Sequence, residues 1–391
     1  MSQHALSRRT FLGAAATTVG YLTIKPADAY ASVAESLRYV QPIQGNGDEY
    51  DSLAKISFNE NPWGPPESVL KAMHKAFKYA NRYGYPDGGV VPALAAHHGV
   101  QTNNIMLGAG SGEILDVCCT GLLRGGKKIV GSIPSFSVVY EKARGIQSDT
   151  IAIPLLADYR QDIPTMIRAT NENKADVGMV YLCNPNNPTG RCVSKQEVQQ
   201  LLDSIPRDIP VLIDEAYHHF VEDPTYATSV PYVLEGRNVI IARTFSKISG
   251  LAGMRLGYAV APNALLNRMR PWATGTINAS VLWGGITALN DVEAMAKIKK
   301  ETIRIREKAV ADLKALGYNS IPSDGNFFMV HIKRPIQQVQ PEFRKYGVLV
   351  GRPFPPMNEH MRVSVGTPEE MARFQAAFKK VFAGQAASSG G

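Results

Sequence analysis

The sequence has no run of lysine and arginine interleaved with aromatic residues, although its formal net charge is +8 and its isoelectric point about 9.2. Surfaces that bind single-stranded nucleic acid combine basic with aromatic side chains, so this absence argues against such a partner. A solvated basic face, or attraction of small anions, explains the charge more simply. The sequence also lacks internal repeats and any apolar stretch long enough to span a bilayer. We therefore predict neither a nucleic-acid partner nor a stable membrane anchor.

Cysteine is scarce, with four residues in 391. Cys118 and Cys119 are adjacent within an apolar stretch, so we expect them to pack in the core. Cys183 and Cys192 leave two possibilities open, a disulfide in an oxidising compartment or two free thiols, and we favour the thiols. The paired histidines at 97–98 and 218–219 have no third ligand spaced near them, so we expect no metal ion.

Length and composition favour two domains of the α/β class. A chain of 391 residues that is 45% hydrophobic and 19% charged can bury a large core and exceeds one average domain. Strands alternate with helical stretches from about 104 to 261, which predicts a doubly wound, mostly parallel sheet. A helical segment at 293–316 leads into a smaller α/β domain. We expect an N-terminal arm (30–60), a large domain (61–290), a small C-terminal domain (291–383) and a disordered, low-complexity tail (384–391).

Residues 1–29 have the pattern of an export signal. Arg8 and Arg9 precede a short, mildly apolar stretch rich in Ala, Gly and Thr, and Ala27-Asp28-Ala29 is a small-x-small cleavage site. The segment resembles a twin-arginine signal, with cleavage after Ala29. We therefore expect export to a bacterial periplasm, or a cytoplasmic location if the signal is not functional.

The segment from Thr244 to Tyr258 (TFSKISGLAGMRLGY) carries the most chemistry in the chain. Lys247 lies between hydroxyl-bearing residues, and Arg255 follows eight positions later. A lysine that must act as a neutral nucleophile needs a desolvated pocket near other cations, whereas an arginine with serine and threonine hydroxyls suits a phosphate. The segment therefore suggests pyridoxal phosphate held as an imine on Lys247, the alternative being an ordinary loop between two strands.

Two further motifs favour the cofactor over the plain loop. NPNNPTG (Asn184–Gly190) and the acid of VLIDEAYHHF (Val211–Phe220) each follow an apolar run that reads as a buried strand. A third strand, 238–243, precedes the lysine segment. Because ligands of open α/β sheets bind at the carboxyl ends of strands, these segments should deliver their functional side chains to one edge. Those side chains are Asn187, Asp214, Tyr217 and Lys247.

With these motifs the chain resembles the fold-type I, class I/II aminotransferases, and most closely the histidinol-phosphate aminotransferase branch. The motifs that carry the resemblance span about residues 57 to 370: SFNENPWGPP (57–66), GAGSGEIL (108–115), Asn326-Phe327 and RVSVG (362–366). The resemblance implies fold type I of the pyridoxal-phosphate-dependent transferases. It also implies a ping-pong transaminase that moves an amino group from an amino acid, or a histidinol-phosphate-like amine, to a 2-oxo acid.

Three departures from the branch pattern stand out. Gly112 occupies a position where the branch usually has Asp, and Phe136 one where Tyr is common. Neither should prevent cofactor binding. Gly351-Arg352 replaces a more usual Val-Arg, and this change leaves the substrate open.

The resemblance also implies a role for each cofactor-binding residue. Asp214 pairs with the pyridine nitrogen, Asn187 and Tyr217 bond the phenolic oxygen, and Phe136 stacks on the ring. The phosphate is held by backbone N–H groups of Ser111 and Gly112 at a helix N-terminus, together with Thr244, Ser246 and Arg255. Tyr85 reaches the phosphate across the interface of an obligatory homodimer.

Lys247 is implied to serve as both covalent anchor and proton carrier. Arg362 is implied to grip an anionic group of the substrate, either a carboxylate or a phosphate, and Arg352 is a second candidate. Two other functions remain open: a pyridoxal-phosphate-dependent decarboxylase or lyase of the same fold, and, more remotely, a non-catalytic cofactor-binding regulator. No helix-turn-helix precedes Ser57, which argues against the regulator.

Overall fold

The computed structural model describes residues 50–383. The predicted signal, most of the predicted arm and the predicted tail lie outside the described residues. Within residues 50–383, none of the helices has both the length and the apolar character needed to cross a membrane.

Twelve strands are present in this part of the chain. They are β1 (Ala54–Ile56), β2 (Ile105–Gly108), β3 (Lys128–Ile133), β4 (Thr150–Pro154), β5 (Val177–Cys183), β6 (Val211–Asp214), β7 (Val239–Thr244), β8 (Gly257–Val260), β9 (Ser320–Ile321), β10 (Phe327–His331), β11 (Val348–Val350) and β12 (His360–Ser364).

The same residues form twelve α-helices. They are α1 (Glu67–Ala76), α2 (Val90–His98), α3 (Ser111–Leu122), α4 (Val138–Gly145), α5 (Ile163–Glu172), α6 (Lys195–Ser204), α7 (Pro231–Leu234), α8 (Asn263–Met269), α9 (Ala279–Asn290), α10 (Val292–Ala315), α11 (Ile336–Lys345) and α12 (Pro368–Val381).

The main sheet has seven strands in the order β2-β8-β7-β6-β5-β3-β4. β8 runs antiparallel to both of its neighbours, and every other neighbouring pair is parallel. The central strands β6 and β7 are buried along their whole length. Continuous apolar strands of this kind are expected where helices cover both faces of a parallel sheet. The predicted mostly parallel α/β sheet is therefore confirmed.

Alternate residues of the central strands pack into two separate hydrophobic layers. Ile213 and Ile241 belong to the layer on one face of the sheet, whereas Leu212 and Ile240 belong to the layer on the other. This alternation follows from the two-residue period of a strand. A sheet covered on both faces exposes ligand-binding space only at its edges, so functional side chains collect where the strands end.

The C-terminal part of the chain builds two small sheets. β9, β10 and β12 form an antiparallel sheet in the order β12-β10-β9. β1 pairs in parallel with β11, so that Ala54 lies opposite Val348. Ala54 and Ile56 share a hydrophobic core with C-terminal residues such as Phe343 and Phe374. The last residues of the predicted arm therefore form part of the C-terminal unit, and the exact domain bounds stay a prediction.

Candidate active site

Three neighbouring strands end at the same edge of the main sheet. β5 ends at Cys183, which is paired in register with Asp214, the last residue of β6. Asp214 in turn lies opposite Ala242 of β7, and Lys247 follows three residues after β7 ends. The parallel pairing thus brings the Asn-Pro loop, the acid and the lysine to the same edge, as the sequence predicted.

Lys247 is half-buried at this edge. Its Nζ atom donates to the Phe58 carbonyl at 3.2 Å and lies 5.4 Å from the centre of the Tyr217 ring. Burial lowers the pKa of the lysine to about 8, and the positive charges of Arg362 and Arg255 lower it further, against the opposing effect of Glu60 and Asp214. An amine with this pKa is partly neutral near pH 7, which a nucleophile requires.

Asp214 is buried, with only 3% of its surface exposed. Its Oδ1 accepts from the Ala216 backbone N–H at 3.1 Å, and its Oδ2 accepts from the Tyr181 hydroxyl at 3.4 Å. Burial raises the pKa of the carboxyl to about 6, although these hydrogen bonds and nearby Lys247 act in the opposite direction. Within residues 50–383 no cation is bonded to Asp214, so the carboxyl suits a ligand that brings its own charged N–H.

A hydrogen-bonded network joins Tyr217 to Arg362. The Tyr217 hydroxyl accepts from Asn59 Nδ2 at 3.0 Å and from Asn187 Nδ2 at 3.3 Å. Asn187 Oδ1 accepts from Arg362 at 2.7 Å, and a second guanidinium nitrogen of Arg362 donates to the Ser57 carbonyl. Burial raises the pKa of the tyrosine, so the hydroxyl keeps its proton. The network fixes the tyrosine, the asparagine and the arginine relative to one another.

Arg362 and Arg352 lie on the same aromatic ring. Their guanidinium carbons are 4.8 Å and 4.3 Å from the centre of Phe354. Burial lowers the pKa of Arg362 to about 10, and the neighbouring charge of Arg352 adds to this effect. The Nε–H of Arg362 is buried without a hydrogen-bond partner. Two adjacent cations, Arg362 buried and Arg352 half-buried, form a site that favours an anion.

Arg352 also contacts the residue that precedes α4. It donates to the Ser137 hydroxyl at 2.9 Å and to the Pro353 carbonyl at 3.0 Å. Ser137 directly follows Phe136, which is half-buried and packs against the hydrophobic layer of α3 and α4. The structure thus places Arg352 beside the segment that carries the predicted ring-stacking residue.

A second group of polar side chains lies at the start of α3. The Thr244 hydroxyl donates to Ser246 Oγ at 2.8 Å, and Arg255 donates to Ser246 Oγ at 3.4 Å and to the Ala109 carbonyl at 3.1 Å. Gly110 precedes the helix with φ of 79°, and a Cβ atom there would lie 2.2 Å from Arg255. Only glycine fits both that backbone angle and that close approach.

Ser111 and Gly112 are the first two residues of α3, so their backbone N–H groups have no acceptor within the helix. Glu113 fixes the preceding loop, since its carboxylate accepts from the Ala109 N–H at 2.6 Å and from the Thr274 N–H at 2.7 Å. The first N–H groups of α3, the Thr244 and Ser246 hydroxyls and the Arg255 guanidinium therefore lie together near the start of this helix. That donor set fits a phosphate.

Tyr85 lies apart from these groups in its own subunit. Its hydroxyl donates to the Ile277 carbonyl, and its ring stacks on Tyr79 with centroids 6.5 Å apart. The structure describes a single chain, so the predicted contact with a partner's phosphate group stays a prediction.

Sequence reasoning missed Asn59 as a site residue. Asn59 adopts φ of 54°, which asparagine tolerates better than most residues. Its backbone N–H and side-chain oxygen both contact the Ser364 hydroxyl, at 2.8 Å and 2.9 Å, while Asn326 donates to its carbonyl at 3.0 Å. Its only signal in the sequence is its position in the NENP motif, and the family resemblance assigned no role to the residues of that motif.

The two histidine pairs lie close enough to one another for their charges to interact. The rings of His218 and His219 are 3.6 Å apart, and His98 Nε2 lies 3.0 Å from the Tyr258 hydroxyl. Burial, the charge of Arg243 and the neighbouring histidines lower the pKa of His98 and of His219 to about 3. The four imidazoles, His97, His98, His218 and His219, form what we call the histidine cluster, and residues 50–383 include no group of side chains placed to hold a metal ion.

Arg243 itself is buried in an ion pair. Its guanidinium donates to Glu215 at 2.6 Å and to the Thr228 hydroxyl at 2.7 Å, and Glu215 also accepts from the Ser229 N–H at 2.6 Å. Because Glu215 follows Asp214 directly, this pair anchors the turn that leads to Tyr217. All four cysteines are buried free thiols, as expected for Cys183 and Cys192.

Comparison with known proteins decides the family. The sequence pattern of the family described as aminotransferase class I and II matches residues 52–378. The chain belongs to this family. Histidinol-phosphate aminotransferase 2 of Carboxydothermus hydrogenoformans is 35% identical over 342 residues, which cover 84% of this chain and 91% of that protein. Histidinol-phosphate aminotransferase of Akkermansia muciniphila is 32% identical over 84% of this chain and 90% of that protein.

Solved structures of this family share the fold. A protein from Erwinia carotovora atroseptica matches with a TM-score of 0.81 at 32% identity and covers 85% of this chain and 96% of its own. Histidinol-phosphate aminotransferase from Sinorhizobium meliloti, in complex with pyridoxal 5'-phosphate, matches with a TM-score of 0.77 at 23% identity over 94% of this chain and 99% of its own. The protein is therefore a pyridoxal-phosphate-dependent aminotransferase of fold type I.

Proposed function

We propose that this aminotransferase takes amino donors that carry an anionic group, which Arg362 holds while Lys247 moves the proton. The observation that carries the proposal is the meeting of three groups at one sheet edge: the Lys247 amine with a pKa of about 8, the buried Asp214 carboxyl, and Arg362 with its unpartnered Nε–H. A cation, a carboxyl and a neutralisable amine are what an enzyme needs to bind and deprotonate an anionic amine.

The residues present fit pyridoxal phosphate. Thr244, Ser246, Arg255 and the first N–H groups of α3 would hold its phosphate, because together they supply donors and positive charge at one point. Asp214 would hold a proton on the pyridine nitrogen, since the buried carboxyl has no bonded cation of its own. When bound, the cofactor supplies an electron sink that stabilises the negative charge left on the substrate carbon.

Tyr217 and Asn187 would orient the cofactor through hydrogen bonds to its phenolic oxygen. The Tyr217 hydroxyl already accepts from two amides, so its own proton remains available for donation. Phe136 is offered as the ring-stacking residue, because Ser135 beside it is tied to the Asn-Pro loop through Asn186 at 2.7 Å.

Lys247 would act as covalent anchor and then as the group that takes and returns the substrate proton. Its Nζ has a neighbouring carbonyl acceptor at Phe58, which can hold the free amine in place between the two tasks. Burial and, after it, the adjacent cations bring its pKa near the working pH, which is where proton transfer is most effective.

Histidinol phosphate is one candidate donor, because the relatives named above carry its name. An aromatic or other amino acid is another, since a planar guanidinium binds carboxylate and phosphate equally well. Arg352 lies close enough to Arg362 to share a doubly charged phosphate or to contact a second acidic group. The common requirement is therefore an anion on the donor.

The test is a panel of single-turnover amino transfers by the holoenzyme. Histidinol phosphate, L-phenylalanine and L-glutamate should each yield the matching carbonyl product, whereas histidinol and tyramine, which lack the anion, should react roughly a hundredfold more slowly. Equal rates with and without the anion would refute the proposal. Release of carbon dioxide without a new oxo product would identify a decarboxylase instead.

The working unit is proposed to be a homodimer. α1 and the segment after it expose several large apolar side chains, among them Leu70 at 49%, Phe77 at 59% and Tyr83 at 101%. Tyr85, proposed to reach a partner's phosphate, follows within the same segment. Exposed apolar groups of this number on one stretch favour a protein interface. Light scattering of the purified protein should give twice the monomer mass, and a monomer with full activity would refute this.

Export by the twin-arginine route is proposed from residues 1–29 alone. The route carries folded proteins, so the cofactor could be loaded before transport. Changing Arg8 and Arg9 to lysine should retain the enzyme in the cytoplasm, as measured by fractionation of cells. A distribution unaffected by these changes would refute the export proposal without touching the catalytic one.

A further inference from the structure

A cleft of about 460 Å³ lies outside the site described above. Tyr159 and Arg191 line it, together with Ser320, His331 and His360 of the three-stranded sheet. Its volume is within the range of roughly 300–1,000 Å³ that is typical of sites for small molecules. None of the side chains assigned above to the cofactor or the donor lines it.

Arg191 is the unexplained cation of this cleft. Among residues 50–383 its guanidinium has no hydrogen-bond acceptor and its Nε–H is fully buried, although its charge acts on the carboxylates of Asp158 and Asp223. The Ser320 hydroxyl also lacks a hydrogen-bond partner among residues 50–383, but its oxygen is buried and does not open into the cleft. A guanidinium without an acceptor is unfavourable, so Arg191 favours a ligand that brings one.

The other lining side chains include three aromatic rings. The rings of His331 and His360 lie 4.8 Å apart at 35°, and the Tyr159 ring lies 5.5 Å from His360 at 64°. Burial and the nearby His331 lower the pKa of His360 to about 4, so that ring is neutral at pH 7. Rings placed in this way can hold a planar group by stacking.

One acidic side chain limits the charge of the ligand. Asp158 also lines the cleft, although its carboxylate is bound by Arg160 at 2.6 Å. His331 has its own acid, Glu359, at 3.2 Å. Because the single guanidinium, Arg191, already acts on the carboxylates of Asp158 and Asp223, a singly charged anion is favoured over a doubly charged one.

We propose that this cleft is a second binding site, which takes a small aromatic monocarboxylate. The carboxylate accepts from Arg191, and the ring lies against His331, His360 and Tyr159. Arg191 directly follows the loop that carries Asn187, and His360 lies two residues before Arg362 on β12. The ligand therefore contacts both segments that supply the anion-binding end of the active site.

The experiment uses the holoenzyme with ¹³C-labelled histidine side chains and sodium benzoate as the probe. Benzoate should shift the imidazole signals of His331 and His360 in a saturable way. Those signals are assigned with His331→Gln and His360→Gln. Benzamide, which has the same ring without the charge, should produce no saturable shift, and phenyl phosphate should bind more weakly than benzoate.

Arg191→Gln should weaken benzoate binding at least roughly tenfold, because it removes the guanidinium that binds the carboxylate. The matched control is Arg168→Gln on the exposed face of α5, which should leave binding unchanged. Arg191→Lys should retain part of the affinity, which separates loss of charge from misfolding. Arg362→Gln should leave the shifts in place.

Several results would overturn the proposal. Binding that survives Arg191→Gln, or that is lost with Arg362→Gln, would assign the probe to another place. Equal binding of benzamide would remove the role of the charge, and tighter binding of phenyl phosphate would replace the monocarboxylate with a dianion. The readout needs no turnover, so an enzyme that fails to transfer amino groups still tests this site.

Discussion

At the scale of single residues, Lys247 owes its reactivity to neighbours from distant parts of the chain. Burial lowers the lysine's pKa most, the charge of Arg362, 115 positions later, lowers it further, and Phe58 supplies a carbonyl to its amine. A free lysine with a pKa of about 10.4 would be almost wholly protonated at pH 7. The fold therefore turns a common residue into a usable nucleophile.

The first prediction concerns how the apoenzyme captures its cofactor. Only the neutral amine attacks, so the rate of covalent attachment should rise with pH and level off above about pH 8, the pKa of Lys247. Arg362→Gln removes a lowering charge and should move the midpoint upward. The measurement is the rate of attachment after borohydride reduction, followed by mass spectrometry. An unchanged midpoint would contradict the assigned cause, and Lys247→Ala should give no attachment at residue 247.

The second prediction concerns Asp214, whose folded pKa of about 6 lies above its unfolded value of about 3.9. Because its pKa is higher in the folded state, the folded protein binds this proton more tightly than the unfolded chain does. The stability that results is lost as the pH rises from about 4 through 6. Asp214→Asn should therefore make the apoenzyme more stable at pH 7.5, by up to about 3 kcal/mol.

The same substitution should slow amino transfer by roughly a hundredfold or more, because an amide cannot hold the pyridine proton by charge. Denaturant titration and single-turnover rates measure the two effects. Asp116→Asn, at an exposed ion pair with Lys142, is the control and should change neither. A variant that loses both stability and activity would indicate a structural role only.

At the scale of elements, the start of α3 depends on one glycine. A Cβ at Gly110 would strike Arg255, whereas Gly125 has the same φ of 79° with nothing within 4 Å. The two positions share a φ that disfavours any side chain, and they differ in what the new atom meets.

The third prediction uses this pair. Gly110→Ala should displace Arg255 and weaken cofactor binding at least roughly tenfold, through the lost phosphate contact. Gly125→Ala should cost stability without changing the cofactor's dissociation constant. Equilibrium dialysis of the apoenzymes with pyridoxal phosphate measures both constants. Similar weakening in the two variants would mean that backbone strain, and not the contact with Arg255, is responsible.

The fourth prediction concerns the histidine cluster, which joins the end of α2 to the turn after β6. Folded pKa values near 3 lie below the unfolded value of about 6.5, so stability is complete above pH 6.5 and is lost as pH falls. At pH 5.5, each of His98 and His219 should lower the free energy of unfolding by up to about 1.4 kcal/mol.

Changing both histidines to glutamine should therefore reduce the loss of stability between pH 7.5 and 5.5 by up to about 3 kcal/mol. The exposed His74 on α1, changed in the same way, is the control. Denaturation midpoints at the two pH values give the answer. An acid slope that stays the same in the double variant would rule out the cluster as its source.

The sequence predicted those parts of the fold and site that depend on short segments. β5, β6 and β7 are continuous apolar runs, and the Asn-Pro loop, Asp214 and Lys247 follow directly from where those strands end. The helix predicted at 293–316 is α10, 292–315. Local periodicity and strand ends carry this information within a few residues.

Other parts could not be read locally. The pairing of Ala54 with Val348, the approach of the two histidine pairs and the contact of Asn59 with Ser364 each join segments far apart in the sequence. No short pattern encodes such distances. The proposed contact of Tyr85 with a partner subunit belongs to the same class, because it depends on a second chain.

At the scale of the whole molecule, the fifth prediction tests a shared site. If Tyr85 serves the partner's phosphate, a hybrid dimer of Lys247→Ala with Tyr85→Phe keeps one lysine, but that site takes its tyrosine from the Lys247→Ala subunit. It should therefore show about half the wild-type activity per dimer, above either homodimer. The measurement is activity after mixing differently tagged subunits. Activity no greater than the average of the two parents would contradict a shared site.

The parallel pairing of β1 with β11 has a consequence for biosynthesis. A ribosome that has just completed Gly347 has already produced Lys247, Asp214 and the whole main sheet, yet the strand that fixes Phe58 and Asn59 still has nothing to pair with. Arg362 is translated later still. The residues proposed to bind the cofactor can thus be in place before synthesis ends. Arg362, which is proposed to hold the donor, joins them only once β12 has been translated.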